Sequence, residues 1–312
     1  ADIQSVASWE GTYHSVTFIA HFAANSYTVQ YDANGGMGAI DEEVATYGVW
    51  YQVADGGTAD GIYRPGYRFD YWTTSGDGTG TQYTSGQFVK DFQAATNNAM
   101  ITLHAHWTML DTVMNFSAHT GGTLTFGEET GLASKNFNNI GRKGGAAPSL
   151  TAVAGAGYTF EGWFDATTGL DVTDIVDGTT ITPVLPESGL WAASYSYFAK
   201  FNPISYTVAF NANGGTGSIA NMTATYDTAF RLPSAVAVTR TGYDFTGWAT
   251  SQDGSSVYDD ADLVNTNLSA TQGDTVTLYA VWVPGSYTVH FRSGATGATG
   301  SMNPQTFTYD AE

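Results

Sequence analysis

His104 and His106 stand two apart in the alternating run Ile101-Thr-Leu-His-Ala-His-Trp107, so both imidazoles project from one face of an extended segment, as the first two ligands of a zinc site would. No third ligand accompanies them, and the same positions in a later copy of the run are Tyr279 and Val281. The pair therefore reads as the polar face of a surface strand. Two acidic groups, Asp171 with Asp174 and Asp177, and Asp259 with Asp260 and Asp262, are the candidate calcium ligands, because calcium gathers several carboxylate and carbonyl oxygens from one loop. Neither group has the spacing of a known calcium loop, so solvated acidic turns are the default and calcium is the one cofactor left open. Lys90, Lys135, Lys143 and Lys200 are candidates for amide cross-links to Asn or Asp, although an ordinary exposed lysine is the expectation for Lys200. No Gly-x-Ser-x-Gly turn and no Gly-rich loop followed by Lys-Ser/Thr is present, which leaves nucleophilic and phosphate chemistry without a motif. No catalytic and no cofactor-binding residue is assigned.

The composition narrows the class. The net charge of −19, from 29 acidic and 10 basic residues, gives nucleic-acid phosphates nothing to bind. The absence of cysteine removes disulfides, thiolate metal sites and thiol nucleophiles. No segment approaches the roughly 18 consecutive apolar residues of a membrane span. Charged residues make up only 12% of the chain while Gly, Thr and aromatic residues abound, which is the composition of short strands joined by many turns.

The elements that hold these groups recur. Gly242-Tyr243-Asp-Phe245-Thr-Gly247-Trp248 returns as Gly157-Tyr158-Thr-Phe160-Glu-Gly162-Trp163 and as Gly66-Tyr67-Arg-Phe69-Asp-Tyr71-Trp72, and such spacing marks an array of similar modules. Tyr243 and Phe245 share a strand face and are expected in one core. Trp248 has the opposite parity and reaches that core only if a bulge at Gly247 resets the register, which leaves the bulge open in the first copy, where Tyr71 replaces the glycine. The rings are expected to be core residues, with a ligand-stacking platform as the alternative.

Taken in order, residues 1–26 read as the tail of an upstream repeat whose Val16, Phe18, Ala20 and Phe22 alternate inward. A short module spans 27–108, with the strand Tyr27–Tyr31, an Asn34-Gly35 turn, a second strand at Val44–Tyr47, a Gly-rich turn at Ser75–Gly80 and one helical turn between Gln87 and Phe92. A longer, divergent module spans 109–203, its middle from Gly121 to Gly145 polar and weakly periodic. A second short module spans 204–283, and 284–312 begins a further copy, with Thr308-Tyr309-Asp310 matching Thr225-Tyr226-Asp227. The linkers are placed at Phe201-Asn-Pro203 and Val283-Pro-Gly285, where proline restricts the joint.

The string Tyr206-Thr-Val-x-Phe-x-Ala-Asn213-Gly-Gly, followed by Ala224-Thr-Tyr226, Arg240-Thr-Gly242-Tyr-x-Phe-x-Gly-Trp248, Asp253-Gly254 and Leu278-Tyr-Ala-x-Trp282, resembles the internalin-type B-repeat, or Listeria/Bacteroides repeat. The likeness extends to 27–107 and, through the signature and the closing strand, to 109–203. It implies a mostly β chain, a tandem array of small β-grasp-like modules with little helix, in bacterial cell-surface or secreted proteins. No catalytic residues come with it. The function read from this is a non-enzymatic extracellular segment, a stalk, spacer or fibre-forming adhesive part. Its partners would be neighbouring repeats, like chains, or a host protein or glycan. The alternative is a glycan-binding module, which requires aromatics outside the repeated core, such as Trp50, Tyr51 and Tyr63, to share one exposed face.

Overall fold

Strict alternation builds the first strand of each copy. In Ser26–Asp32, Tyr27 and Val29 point inward and are buried, while Thr28 and Gln30 face outward; in Ser205–Asn211, Tyr206 and Val208 do the same. The computed structural model describes residues 3–10, 13–58, 61–92, 96–294, 296–297 and 299–310, and the side chains of 3–10, 13–17 and 174 lie outside the description. The chain divides into two compact units, one of residues 1–114, 137–147 and 184–195, the other of residues 115–136, 148–183 and 196–312. Nearly all regular structure is β. Among the described residues, helix is confined to the single 3-10 turns Thr173–Ile175 and Ala235–Ala237.

In the first unit the opening strand Ser26–Asp32 lies between the second strand Glu43–Thr46 and the closing strand Ala99–Met109, and the closing strand is flanked in turn by the signature strand Tyr67–Thr73. Opening and closing strands run parallel, and the outer pairings are antiparallel. The second unit repeats this plan with Met222–Thr225, Ser205–Asn211, Thr275–Pro284 and Tyr243–Ala249. Short strands, turns and, in the second copy, one 3-10 turn cover each sheet in place of a longer helix: Tyr51, Val53, Ile62 and Phe92 close the first core, and Leu232, Ala235, Val238 and Val264 the second. The divergent stretch forms a four-stranded sheet in the order Ser134–Gly141, Asp111–Ala118, Ser194–Pro203 and Tyr158–Asp165. A separate five-stranded sheet runs Glu129–Leu132, Gly122–Phe126, Leu150–Ala154, Thr180–Ile181 and Val176–Asp177. The weakly periodic stretch thus holds strands whose polar outward faces conceal their alternation.

All three signature strands shift register by one residue, between Phe69 and Tyr71, Phe160 and Gly162, and Phe245 and Gly247. The shift brings Phe245 and Trp248 onto one face, where their rings meet at 5.2 Å, and it buries Trp72, Trp163 and Trp248 to 1% exposure or less. Gly247 has φ +144°, and a Cβ there would sit 1.9 Å from the Ser256 hydroxyl oxygen, because Val257 and Tyr258 pair back onto Trp248 across it. In the first copy Trp72 pairs instead with Tyr83, and the Tyr71 ring stacks on His106 at 4.5 Å. The bulge therefore forms without the glycine.

Several expectations are corrected. Tyr243 does not join Phe245 in the core; it lies at the end of the sheet and meets Tyr309. Residues 87–92 contain the strand Phe88–Lys90 in place of a helical turn, because Val89 pairs with Tyr51, and positive φ at Asp91 and Phe92 ends it. Phe18 and Phe22 are 67% and 87% exposed and Ala20 is exposed too, since among the described residues Tyr13–Ala20 pairs only with Ile3–Glu10; the side chain of Val16 lies outside the described residues. The residues assigned to linkers continue the closing strands, which end at Pro203 and Pro284, where a missing N–H interrupts no ladder.

One tie escapes any periodicity. Asn34 and Asn213, at φ +46° and +47°, each donate two side-chain hydrogen bonds of 2.9 Å, to Gly76 and Ala105 carbonyls in one copy and to Gln252 and Ala280 carbonyls in the other. The first turn is thereby pinned to the closing strand. Asn213→Ala should cost about 1 to 3 kcal/mol by leaving those carbonyls unpaired. Trp248→Ala should cost about 3 to 5 kcal/mol, while His104→Ala should change stability by less than about 0.5 kcal/mol. Denaturant unfolding followed by tryptophan fluorescence checks all three, and an unchanged midpoint for Trp248→Ala would remove the core assignment.

Candidate functional site

The two histidines each face an aspartate. His104 Nδ1 is 2.8 Å from Asp32 Oδ2, and His106 Nδ1 is 3.4 Å from Asp70 Oδ2. The Asn34 backbone N–H, with His104 behind it, holds the Asp32 carboxyl below its ordinary range. Burial pushes Asp70 up, but hydrogen bonds from Thr108, Arg68 and His106 outweigh it and keep this carboxyl low. Each imidazole thus has one carboxylate neighbour, and Asp32 and Asp70 are held by separate turns and strands.

Asp171, Asp260 and Asp262 accept hydrogen bonds from backbone or hydroxyl donors, Asp260 across 25 residues of chain. Asp171 accepts from the Thr173 N–H at 2.8 Å. Asp260 accepts from the Ala235 N–H at 2.6 Å and from the Ser234 hydroxyl, and Asp262 accepts from the Leu263 N–H. Asp177 and Asp259 are exposed, and the side chain of Asp174 lies outside the described residues. Among the described residues no three His, Asp or Glu side chains gather closely enough to hold a metal ion. Of the lysines, Lys135 pairs with Glu129 at 2.7 Å and Lys200 with Glu161 at 2.9 Å, while Lys90 and Lys143 are exposed.

Nor do the spare aromatics form one platform. Trp50 and Tyr63 are exposed, but Tyr51 is buried, with its hydroxyl 2.9 Å from that of Tyr31 and its ring against Phe92. A shallow groove of about 330 Å³ runs between Tyr63, Arg64, Tyr67 and Trp107. The Arg64 guanidinium lies 4.0 Å over the Tyr67 ring, an arrangement repeated by Arg240 over Tyr243 at 3.9 Å. No nucleophile and base converge in that groove. The signature residues instead sort by position: Trp72, Trp163 and Trp248 are core, Phe69 and Phe245 pack against it, and Tyr158 and Tyr243 lie beyond its edge against Tyr226 and Tyr309. Thr-Tyr-Asp recurs around Tyr226 and Tyr309, and the sequence alone assigns it no role. A recurring aromatic-acid pair just after a short strand was the available signal.

Comparison with known proteins accords with this repeat pattern. Residues 27–106 and 206–281 match the model of the Listeria-Bacteroides repeat domain, and residues 112–205 match the divergent InlB B-repeat domain. A protein of Evansella cellulosilytica described as a Gly-rich membrane protein is 25% identical over 283 residues, 89% of this chain and 28% of that protein. Internalin H of Listeria monocytogenes is 29% identical over 190 residues, 60% of this chain and 31% of that protein. The chain thus spans less than a third of either relative. A streptococcal ancillary pilin overlays with a TM-score of 0.16 and 8% identity, over 93% of this chain and 96% of the pilin, too little to carry an argument. Among the described residues no helix is long and apolar enough to cross a membrane.

The polar side chains therefore act on loop geometry, which pH can probe. Asp77 accepts from the Ser75 and Thr79 hydroxyls and the Thr79 N–H, and these bonds lower its carboxyl to about 2 from the ordinary 3.8. A folded-state value below the unfolded one supplies stability that is present above the unfolded value and lost as pH falls through the folded one. The Asp77 contribution should accordingly vanish between about 4 and about 2, a window set by that shift. Thermal melting across that range should show a shallower acid dependence for Asp77→Asn than for the parent chain. Identical slopes would remove the assignment.

Proposed function

Because the chain belongs to the Listeria-Bacteroides repeat family, with a divergent InlB B-repeat between two standard copies, we propose that it is a non-enzymatic extracellular stretch of a bacterial surface protein, its repeats acting as stalk or spacer. The observation that carries the reading is the placement of the signature. Trp72, Trp163 and Trp248 are swallowed at separate points along the chain, and the chemistry-bearing side chains hold turns in place of meeting in a cleft. The net charge of −19 keeps such an array soluble and separated from like surfaces. The label of Internalin H as an internalin supports a surface location for this stretch as well.

On this reading each repeat is a β-grasp-like module, and in the two short copies the parallel opening and closing strands lie at the centre of the sheet, with short strands and turns in place of the usual helix. The modules run over 27–108, 109–203 and 204–283, with 1–26 and 284–312 belonging to adjoining copies. Neighbouring repeats of the same chain are the first partners. Burial of Tyr51 leaves the glycan reading without the shared aromatic face it requires.

Displaying the chain between a wall anchor and an epitope tag tests the spacer role. A second tandem copy should raise the tag above the cell surface by the same increment as the first, measured by super-resolution localisation. A tag height independent of copy number would refute the reading.

A further inference from the structure

At successive junctions the backbone follows one relay. The carbonyls of Gly66, Gly157 and Gly242, the first residues of the three signatures, accept from the N–H groups of Leu110, Ile204 and Gly285 at 2.8 to 2.9 Å. The carbonyls of Leu110, Ile204 and Gly285 then accept from the N–H groups of Arg142, Tyr226 and Tyr309, also at 2.8 to 2.9 Å. A single residue is thus held on both sides.

Two of the three junctions carry an added side-chain arrangement. Tyr158 meets the Tyr226 ring edge-on at 5.6 Å, and its hydroxyl donates to Asp227 Oδ2 at 2.8 Å. Tyr243 meets Tyr309 at 5.6 Å, and its hydroxyl donates to Asp310 Oδ2. The Tyr226 and Tyr309 rings lie directly over Gly157 and Gly242, where a Cβ would come within 2.3 and 2.4 Å of ring carbons. Asn267 holds Asp227 in place, accepting from its N–H at 2.7 Å and donating to Oδ1 at 2.6 Å, which leaves Oδ2 for the phenol. The interface is built from residues outside both cores. At the remaining junction Leu190 and Lys143 approach Gly66, and no Tyr-Asp pair is present.

We propose that the Tyr-Asp corner ending the second strand of a short repeat is a docking surface for the Gly-Tyr turn of the repeat before it, latching the two in one orientation. The glycine is the seat for the ring, the two tyrosines supply edge-to-face contact, and the phenol–carboxylate bond fixes the angle. Hydrogen bonding to Asp227 and to Asp310 also raises the ionisation of Tyr158 and Tyr243 above the ordinary phenol value, as a donor held by a carboxylate requires. The same corner recurs at Tyr47, whose N–H donates to the Asn25 carbonyl at 2.8 Å, but Gly48 stands where Asp227 and Asp310 stand. A Gly-Tyr turn docking there gains the ring contact alone. The latch concerns how repeats are joined and holds whether or not the array serves as a spacer.

The chain contains no cysteine, so Leu170→Cys and Val236→Cys introduce unique spin-label sites at exposed positions on the repeats matched over 112–205 and 206–281. Pulsed electron resonance on the full chain should give a narrow distance distribution. Tyr158→Ala should broaden it, and Tyr158→Phe, which keeps the ring and loses the phenol bond, should broaden it less. Tryptophan fluorescence and far-ultraviolet circular dichroism confirm that the cores stay folded, and Tyr158→Phe keeps the test open if the alanine variant does not fold. A distribution already broad in the parent, or one of unchanged width in both folded variants, would overturn the proposal.

Discussion

Burying an indole on the same face as a phenylalanine three residues earlier requires the strand to change register between them, because an unbroken strand would send the two to opposite faces. The rest of the structure depends on that shift. It lets Phe245 and Trp248 share one core, while Tyr243, which precedes the shift and pairs with Pro284 at the last residue of the closing strand, lies past the end of that core. At that end of the sheet the tyrosine meets Tyr309, in the turn that follows the strand Gln305–Thr308. Core and junction thus lie on the two sides of Phe245 along one strand.

The parallel pairing of first and last strands adds a second constraint. Opening strand Ser205–Asn211 and closing strand Thr275–Pro284 come from opposite ends of the repeat, and nothing local brings them together. Asn213 and Trp282 close that gap from both sides. The amide of Asn213 reaches the Ala280 carbonyl, and the Trp282 indole donates to the Ala212 carbonyl at 2.8 Å. Asn34 and Trp107 repeat the pair in the first copy, so the turn and closing strand are clamped by the same two side chains.

The charged residues answer to local geometry. Asp165 accepts from the Thr167 and Thr168 N–H groups and is held below its ordinary range chiefly by the Thr168 bond, in the same manner as Asp77. Carboxylates used to close turns are already satisfied by donors, which removes them from acid–base work. An acidic chain with few lysines gains turn definition and mutual repulsion from these groups.

Residue types and their periods were enough to read the β class, the repeat frame, the opening and closing strands, and the need for a bulge before each signature tryptophan. These depend on neighbours one to three residues apart, which any linear reading contains. The helical turn at 87–92 was misread because the partner of Val89 is Tyr51, a ladder invisible along the chain. Strands in the stretch 122–141 were missed because few of their side chains are buried, so hydrophobic alternation had little to mark. The meeting of Tyr158 with Asp227 and of Tyr243 with Asp310 joins residues 69 and 67 positions apart. Only the tertiary structure decides such pairings, because parity can place a ring on a face but cannot say where the sheet ends or which strand arrives beside it.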